Sequence, residues 1–457
     1  MSNERLREAL RAAGMTYETT ARMVRAVAAE AGDRSLNPNR SSVAHWIAGV
    51  PPKPATVHYL REAVSRKTGR LVTAAELGLA SEEDENASAY PAGDPVTAVV
   101  SLGRDELERR RFLTTAAYSV GALALPPGRR AEAAERASRA AGGALVGGAE
   151  IEVVRDVTSA FSRADERLGG STGRAAVVQY LVSDVASYCR GRFADSDTRR
   201  SMFGAAAELA YLAGWKAHDA GQDGLAQRYY LRSYRLAEVA DPDAHAGYVL
   251  RILAHQAFDT GHGGAAECVP LAEAAHRRMR GRVGPETETL VHLTLARAHA
   301  HRGEARPAVA AIARAERLLD RARPDRAPRW AGLGGPAEAR LTNQAGKALQ
   351  ALGDLRAAEE QFRRSARCWD PAAYPRIHAL TLADLAVVQS ARGLVEEACE
   401  NWGRALDRME GVTSARTRKA VEDMRSRLAV FRHRGPASVR LLDARAARWQ
   451  ATHHRTP

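Results

Sequence analysis

The residues best suited to chemistry stand in a short stretch near the start of the chain, residues 40–48. Three apolar residues there have the i, i+3, i+4 spacing that predicts one buried face of a helix: Val43, Trp46 and Ile47. Asn39 or Ser41 could cap this helix. Its outward side carries hydrogen-bonding groups: Arg40, Ser41, Ser42 and His45. An arginine suits guanine through two hydrogen bonds, whereas serine and histidine are less selective.

The charge around this stretch favours a polyanionic partner. Residues 34–71 hold seven lysines or arginines, including Lys53, against one acid, Glu62. Basic side chains spread over such a surface would neutralise phosphates. The formal net charge of the whole chain is +13, which arginine enrichment from a high-GC genome explains as well as a polyanionic partner does. A solvated basic face is the alternative for the local excess; because the excess coincides with the polar helix face, we favour DNA.

Catalytic and metal-binding patterns are missing from the sequence. The four cysteines stand apart, so no zinc or redox motif is present: Cys189, Cys268, Cys368 and Cys399. There is no phosphate-binding glycine loop, the histidines are scattered, and the pair His453–His454 is too little for a metal site. No run of 18 apolar residues predicts a membrane span. We expect a cytoplasmic protein with reduced cysteines, no cofactor and no enzyme activity.

A helical hairpin repeats through the middle of the chain. Five glycines each stand seven residues after a small residue and five before an alanine: Gly221, Gly261, Gly303, Gly353 and Gly393. Glycine takes a positive φ at a tight turn without strain, and small residues let two helices touch. One hairpin cannot bury its apolar face alone, so copies stack. The sequence therefore predicts an all-α protein with a solenoid of repeats.

The composition divides the chain into four parts: residues 1–80, a compact helical unit; 81–150, an acidic linker and connecting helix; 151–410, the repeats; and 411–457, basic closing helices. The acids of residues 81–95 could also compete with DNA for the basic face. Residues 109–125, which begin RRRFL, look like a twin-arginine export signal. They lie about a hundred residues into the chain, so we favour a connecting helix over residues 105–124. The basic excess of residues 411–457 fits a solvated cap, or contact with DNA or a partner.

The first unit resembles a repressor-type, XRE-like helix-turn-helix domain. The matching residues are Leu10, Ala13, Gly14, residues 16–21 (TYETTA) and residues 41–49 (SSVAHWIAG). Such domains place the third helix in the DNA major groove. The resemblance implies that Arg40, Ser41, Ser42 and His45 point at base edges and that Tyr17 approaches phosphate or base. Lys53 joins the predicted DNA contacts through the local basic charge. In place of the family's tight turn, this chain has a longer second helix and a loop through Asn39.

The hairpins resemble tetratricopeptide repeats, which are helix–turn–helix units of about 34 residues. The clearest copy is residues 346–371, and an irregular insertion at residues 324–336 lengthens the step before it. In that family, the positions six and ten residues before each turn glycine line the concave groove. The implied binding residues are Tyr211, Trp215, Arg251, His255, Arg297, Asn343 and Lys347. They would suit a peptide or a small acidic molecule. A shift of one residue in helix phase would instead bury several of them or turn them outward.

The two resemblances together identify a family of actinobacterial transcription regulators, to which residues 212–238 (LAGWKAHDAGQDGLAQRYYLRSYRLAE) are especially similar. More distantly, the chain resembles peptide-sensing quorum regulators. These resemblances imply a homodimer that binds double-stranded DNA, responds to a peptide, a small acidic effector or a protein partner, and controls differentiation or specialised metabolism. The alternative is a tetratricopeptide adaptor or scaffold whose first domain binds protein instead of DNA.

Overall fold

A computed structural model describes residues 2–30, 33, 35–68, 72, 74, 76–79, 94–111, 145–260, 264–322, 327–332, 335–431 and 436–453. Within these residues the protein is helical, apart from one short parallel pairing of β1 (Leu145–Val146) with β2 (Arg192–Phe193). The predicted fold class is confirmed: an all-α N-terminal domain precedes a solenoid of helical repeats.

The N-terminal domain contains α1 (Glu4–Ala12), α2 (Tyr17–Glu30), α3 (Arg40–Ile47) and α4 (Pro54–Thr68). Asn3 caps α1 by accepting a hydrogen bond from the backbone N–H of Leu6, and its amide donates to the carbonyl of Leu77. The domain buries its own core, separate from that of the later helices, with Leu6, Leu10, Val24, Val43, Trp46, Ile47, Leu60 and Val64 among its members. The predicted inward face of α3 is therefore buried as expected.

The helix after this domain is α5 (Pro95–Arg111), and it packs on the repeats. It begins ten residues before the connecting helix predicted over residues 105–124. Residues 112–124, which make up most of the stretch 109–125, lie outside the described residues. Glu106 of α5 is buried, accepting hydrogen bonds from Arg174 Nε at 2.9 Å and from the Tyr229 hydroxyl at 2.7 Å. These bonds join α5 to the solenoid.

The solenoid is built from consecutive helices that pair and stack. A π-helical turn (Leu181–Val185) separates its second and third helices. No helix in the described part of the chain combines the length and apolarity that crossing a membrane requires. The helices are α6 (Gly148–Leu168), α7 (Arg174–Tyr180), α8 (Ala186–Arg190), α9 (Ser196–Asp219), α10 (Asp223–Ala240), α11 (Ala244–Thr260), α12 (Gly264–Met279), α13 (Pro285–His301), α14 (Ala305–Leu319), α15 (Arg329–Gly332), α16 (Ala337–Ala351), α17 (Leu355–Cys368), α18 (Pro375–Ala391), α19 (Val395–Met409), α20 (Ala415–Phe431) and α21 (Ala437–His453).

The repeated small residues mark where paired helices touch. Four of the five turn glycines have φ between +73° and +82°: Gly221, Gly303, Gly353 and Gly393; Gly261 lies outside the described residues. A Cβ atom added to Gly346 would lie 2.9 Å from the ring of Phe362, and one added to Gly214 would lie 2.7 Å from the ring of Tyr230. In these two hairpins the glycine before the turn thus leaves room for an aromatic ring of the partner helix.

We predict that Gly346→Ala lowers the free energy of unfolding by about 1–3 kcal/mol, because the added methyl group overpacks the contact with Phe362. Adding Phe362→Leu should recover part of the loss. Gly148→Ala is the matched control: its Cβ would meet no atom within 4 Å, so stability should hold or rise. Urea unfolding measures all three, and equal effects of the two alanines would contradict this account of the glycine pattern.

Candidate functional site

The first helices of three repeats border one cleft of about 140 Å³. Six of the seven binding residues implied by the repeat spacing line it: Tyr211 and Trp215 on α9, Arg251 and His255 on α11, and Asn343 and Lys347 on α16. Their side chains are buried or half-buried. The structure therefore brings together residues that are 136 positions apart at the extremes (211 and 347).

The seventh residue, Arg297, does not border the cleft but holds residues that do. Its Nη1 donates to His255 Nδ1 at 3.3 Å and to Gln344 Oε1 at 3.1 Å, and its Nη2 pairs with Asp259 at 3.0 Å. Burial, together with the charges of Arg251 and Arg297, lowers the pKa of His255 well below its ordinary value. His255 is therefore neutral, and with Nδ1 accepting, its Nε2 donates to the Thr294 hydroxyl at 2.9 Å.

Two arginines meet at one end of the cleft around Tyr248. Arg340 donates to the Tyr248 hydroxyl at 3.1 Å, and the Arg251 guanidinium lies 5.2 Å from the centre of the same ring. Burial raises the pKa of Tyr248, but the charges of Arg340 and Arg251 outweigh burial and bring the pKa below its ordinary value. This end of the cleft is therefore strongly positive.

The insertion before α16 packs at the same end. The Trp330 ring stacks on His245 with centres 5.0 Å apart, and it also contacts the Tyr248 ring. Arg340 Nη1 donates to the carbonyl of Ala331 at 2.7 Å. The described part of this insertion thus holds Arg340 in place and covers His245.

Arg416 borders the cleft from α20, a helix outside the repeats that were recognised in the sequence. Its guanidinium lies 5.3 Å from the centre of the Trp215 ring, and its buried Nη1 has no hydrogen-bond partner among the described residues. Sequence reasoning missed Arg416 and Arg340. Arg340 could have been found, because it stands three residues before Asn343 on the same helix; Arg416 could not, because no local pattern brings α20 to α9.

A buried charge cluster holds α18 against α6 and α9, and so brings the neighbouring α20 close to the first repeats. Arg376 of α18 pairs with Asp165 at 2.7 Å and Glu166 at 3.1 Å on α6, and with Asp219 at 3.1 Å on α9. Lys216 Nζ lies 2.9 Å from Asp165. Beside the cluster, the Thr413 N–H donates to the carbonyl of Leu168. These contacts hold the fifth repeat against the first. We call the line of contact around Arg376 the seam; it closes the expected concave groove into a cleft.

The pKa values of Asp165 and Glu166 shift in opposite directions, because Asp165 pairs with both Arg376 and Lys216 whereas Glu166 pairs with Arg376. Burial raises the pKa of Asp165, but Arg376 and Lys216 outweigh burial, so the net shift is downward. Burial raises the pKa of Glu166, and Arg376 does not cancel it. One oxygen of Glu166, which also borders the cleft, has no hydrogen-bond partner in the described part of the chain. Asp165 is thus the better-compensated acid.

The outward face of α3 is the second candidate surface. Asn39 caps the helix: its side chain accepts from the Ser42 N–H at 2.9 Å, and its own N–H donates to the Ser42 hydroxyl at 3.2 Å. Of the residues assigned to DNA, Arg40, Ser41, His45 and Lys53 are exposed, whereas Ser42 and Tyr17 are half-buried. Ser42 is occupied by the cap and Tyr17 packs against the core of the domain.

Comparison with known proteins bears on the N-terminal domain. Residues 6–80 match the family model of the SP15 N-terminal domain, a range that begins in α1 and extends past α4. No curated protein matches the chain. The match is a likeness of one domain, and its description specifies no ligand or activity.

We predict that Arg376→Met destabilises the protein by about 3–5 kcal/mol, because it leaves three acids buried without their shared cation. Arg200→Met is the control: Arg200 and its partner Asp197 are 51% and 80% exposed, so its loss should cost about 1 kcal/mol or less. Chemical unfolding measures both. Similar losses in the two variants would contradict the role assigned to the cluster.

We also predict a loss of stability in mild acid that involves His245. Burial lowers the pKa of His245 to about 3, so below its ordinary pKa of roughly 6.5 only the unfolded state takes up the proton. Stability is then lost as pH falls through that range. His245→Phe should reduce the loss of unfolding free energy between pH 7 and pH 5 by about 2 kcal/mol. An unchanged loss in the variant would rule this residue out as a source.

Proposed function

We propose that the protein is a cytoplasmic transcription regulator that binds double-stranded DNA through α3 and responds to a ligand in the cleft of its repeats. One observation carries the proposal. The small helix α3 buries one side in the domain core and leaves Arg40, Ser41 and His45 exposed together on the other. Recognition helices that enter the major groove present hydrogen-bonding side chains in this way.

The surroundings of α3 support the same assignment. Residues 34–71 hold seven basic residues and a single acid, and contacts to phosphates provide most of the affinity of such domains for DNA. A single domain of this size reads a short half-site, so the proposal includes a homodimer that reads two. The resemblance to actinobacterial regulators supports control of differentiation or specialised metabolism as its role.

The cleft supports a binding role for the repeats, and we propose no reaction there. A ligand changes affinity for DNA only if it binds the two conformational states differently. Several elements close the cleft, including α6, α9, α16, α18 and α20, so an occupant would touch both the first and the last repeats. Filling the cleft would thus favour one relative position of the first and fifth repeats over another.

The test begins by selecting DNA sequences from a random pool with the full chain. For the selected site, Arg40→Ala should weaken specific binding by about 1–3 kcal/mol and leave non-specific binding unchanged, because one base contact is lost. Arg7→Ala is the control in the same domain, since the side chain of Arg7 is 40% exposed and pairs with Glu4 on the same helix, α1. Fluorescence anisotropy over a range of salt concentrations measures both variants.

Two results would contradict the proposal. If no sequence is enriched and binding shows no dependence on salt, the N-terminal domain does not bind DNA as proposed. The adaptor function then becomes the better explanation. If a site is enriched but Arg40→Ala binds it as the wild type does, α3 is not the recognition helix.

A further inference from the structure

At the positive end of the cleft, no described acid pairs with the two arginines. Arg251 is buried, its Nε donates to the carbonyl of Leu290 at 3.1 Å, and its terminal nitrogens make no hydrogen bond or ion pair with any described residue. Arg340 bonds to the Ala331 carbonyl and the Tyr248 hydroxyl, both neutral acceptors. Within the described chain, neither arginine pairs with a carboxylate.

This arrangement is costly for the protein alone. A buried charge is tolerated when it is paired, and two like charges beside one ring repel each other. Burial lowers the pKa of Arg251 to about 10, which still leaves it charged at neutral pH. The Arg376 cluster in the same interior compensates its cations with three acids. The contrast indicates that an anion from outside completes the Arg251 end.

The walls and volume of the cleft restrict the rest of that anion. Tyr211 stacks on Tyr230 with ring centres 5.8 Å apart and borders the cleft next to Trp215. Aromatic side chains suit a planar ring as neighbour. The volume of about 140 Å³ resembles that of an engineered cavity of about 150 Å³ that binds benzene. The seam at Arg376 closes the cleft, so a compact molecule fits where an extended peptide does not.

We propose that the cleft binds a compact aromatic carboxylate, with its carboxylate on Arg251 and Arg340 and its ring against Tyr211 and Trp215. Arginine and carboxylate form paired, charge-assisted hydrogen bonds in a planar geometry, which the two free terminal nitrogens of Arg251 can supply. As the effector of a regulator, this ligand rests on the proposed function; its binding to the cleft does not depend on DNA.

The test uses the full chain and a panel of benzoate derivatives, each paired with its own amide, together with acetate and inorganic phosphate. Thermal unfolding and calorimetry report binding. We expect at least one benzoate to raise the melting temperature saturably, and its amide, acetate and phosphate at equal concentration to leave it unchanged. Binding of the amide as tightly as the acid, or of phosphate or acetate alone, would overturn the proposal, as would the absence of any response across the panel.

Variants then locate the binding. Arg251→Gln and Arg340→Gln should each weaken the affinity by about ten- to a hundredfold, the range for losing a charge-assisted hydrogen bond. Arg356→Gln, on the exposed surface of α17, should bind as the wild type does. Without ligand, Arg251→Gln should melt no lower than the wild type, because an unpaired buried charge is removed; a lower melting temperature together with unchanged affinity would show a purely structural arginine.

The outcomes separate this inference from the proposed function. Binding of an aromatic carboxylate in a protein that selects no DNA would leave the cleft assignment standing and remove the regulator. Specific DNA binding with no response to the panel would do the reverse.

Discussion

The pairing of Arg376 with three buried acids is the interaction on which the shape of the repeat unit depends. Arg376 and Asp165 lie 211 residues apart in the chain, yet their side chains are 2.7 Å apart. Asp219 is further held by the Gly170 N–H and the Ser414 hydroxyl. Removing one member of such a cluster is strongly destabilising, since each buried charge is tolerated through its neighbours. It converts an open stack of hairpins into one in which the last repeat meets the first.

Closure changes what the inner face of the repeats can do. In an open solenoid the first helices present a groove along which an extended chain could lie. Here the same positions surround a small cleft, and α20 adds Arg416 beside Trp215. Among the described residues, the interior therefore contains two electrostatic environments: at Arg376 the charges are paired with acids, and at Arg251 and Arg340 the cations have only neutral acceptors. The second environment is the one that the proposed anion would complete.

Neighbouring tyrosines of α10 connect this cleft with α5. Tyr230 stacks on Tyr211 at the cleft wall, while Tyr229 donates to the buried Glu106 of α5. The helix α5 follows the N-terminal domain in the chain and shares the core of the repeats. A ligand that moved Tyr211 would act on α9 and α10, and α10 also contacts α5. The proposed regulator thus has a short physical route from its cleft to the helix that follows the N-terminal domain.

The sequence by itself determined the local features of this protein. The apolar spacing of Val43, Trp46 and Ile47 predicted the buried face of α3, and the turn glycines with their small partners predicted the hairpins, because φ preferences and helix periodicity act over a few residues. The repeat spacing also predicted that Tyr211, Arg251 and Lys347 share one groove, and all three line the cleft. Only the tertiary structure decided the closure at Arg376, the position of Arg416 beside Trp215, and the burial of Arg251 with no carboxylate paired to it in the described part of the chain. These features depend on charged side chains that are far apart in the chain. The crossing angles of all the helices between them, and no local pattern, set which of these side chains come within bonding distance.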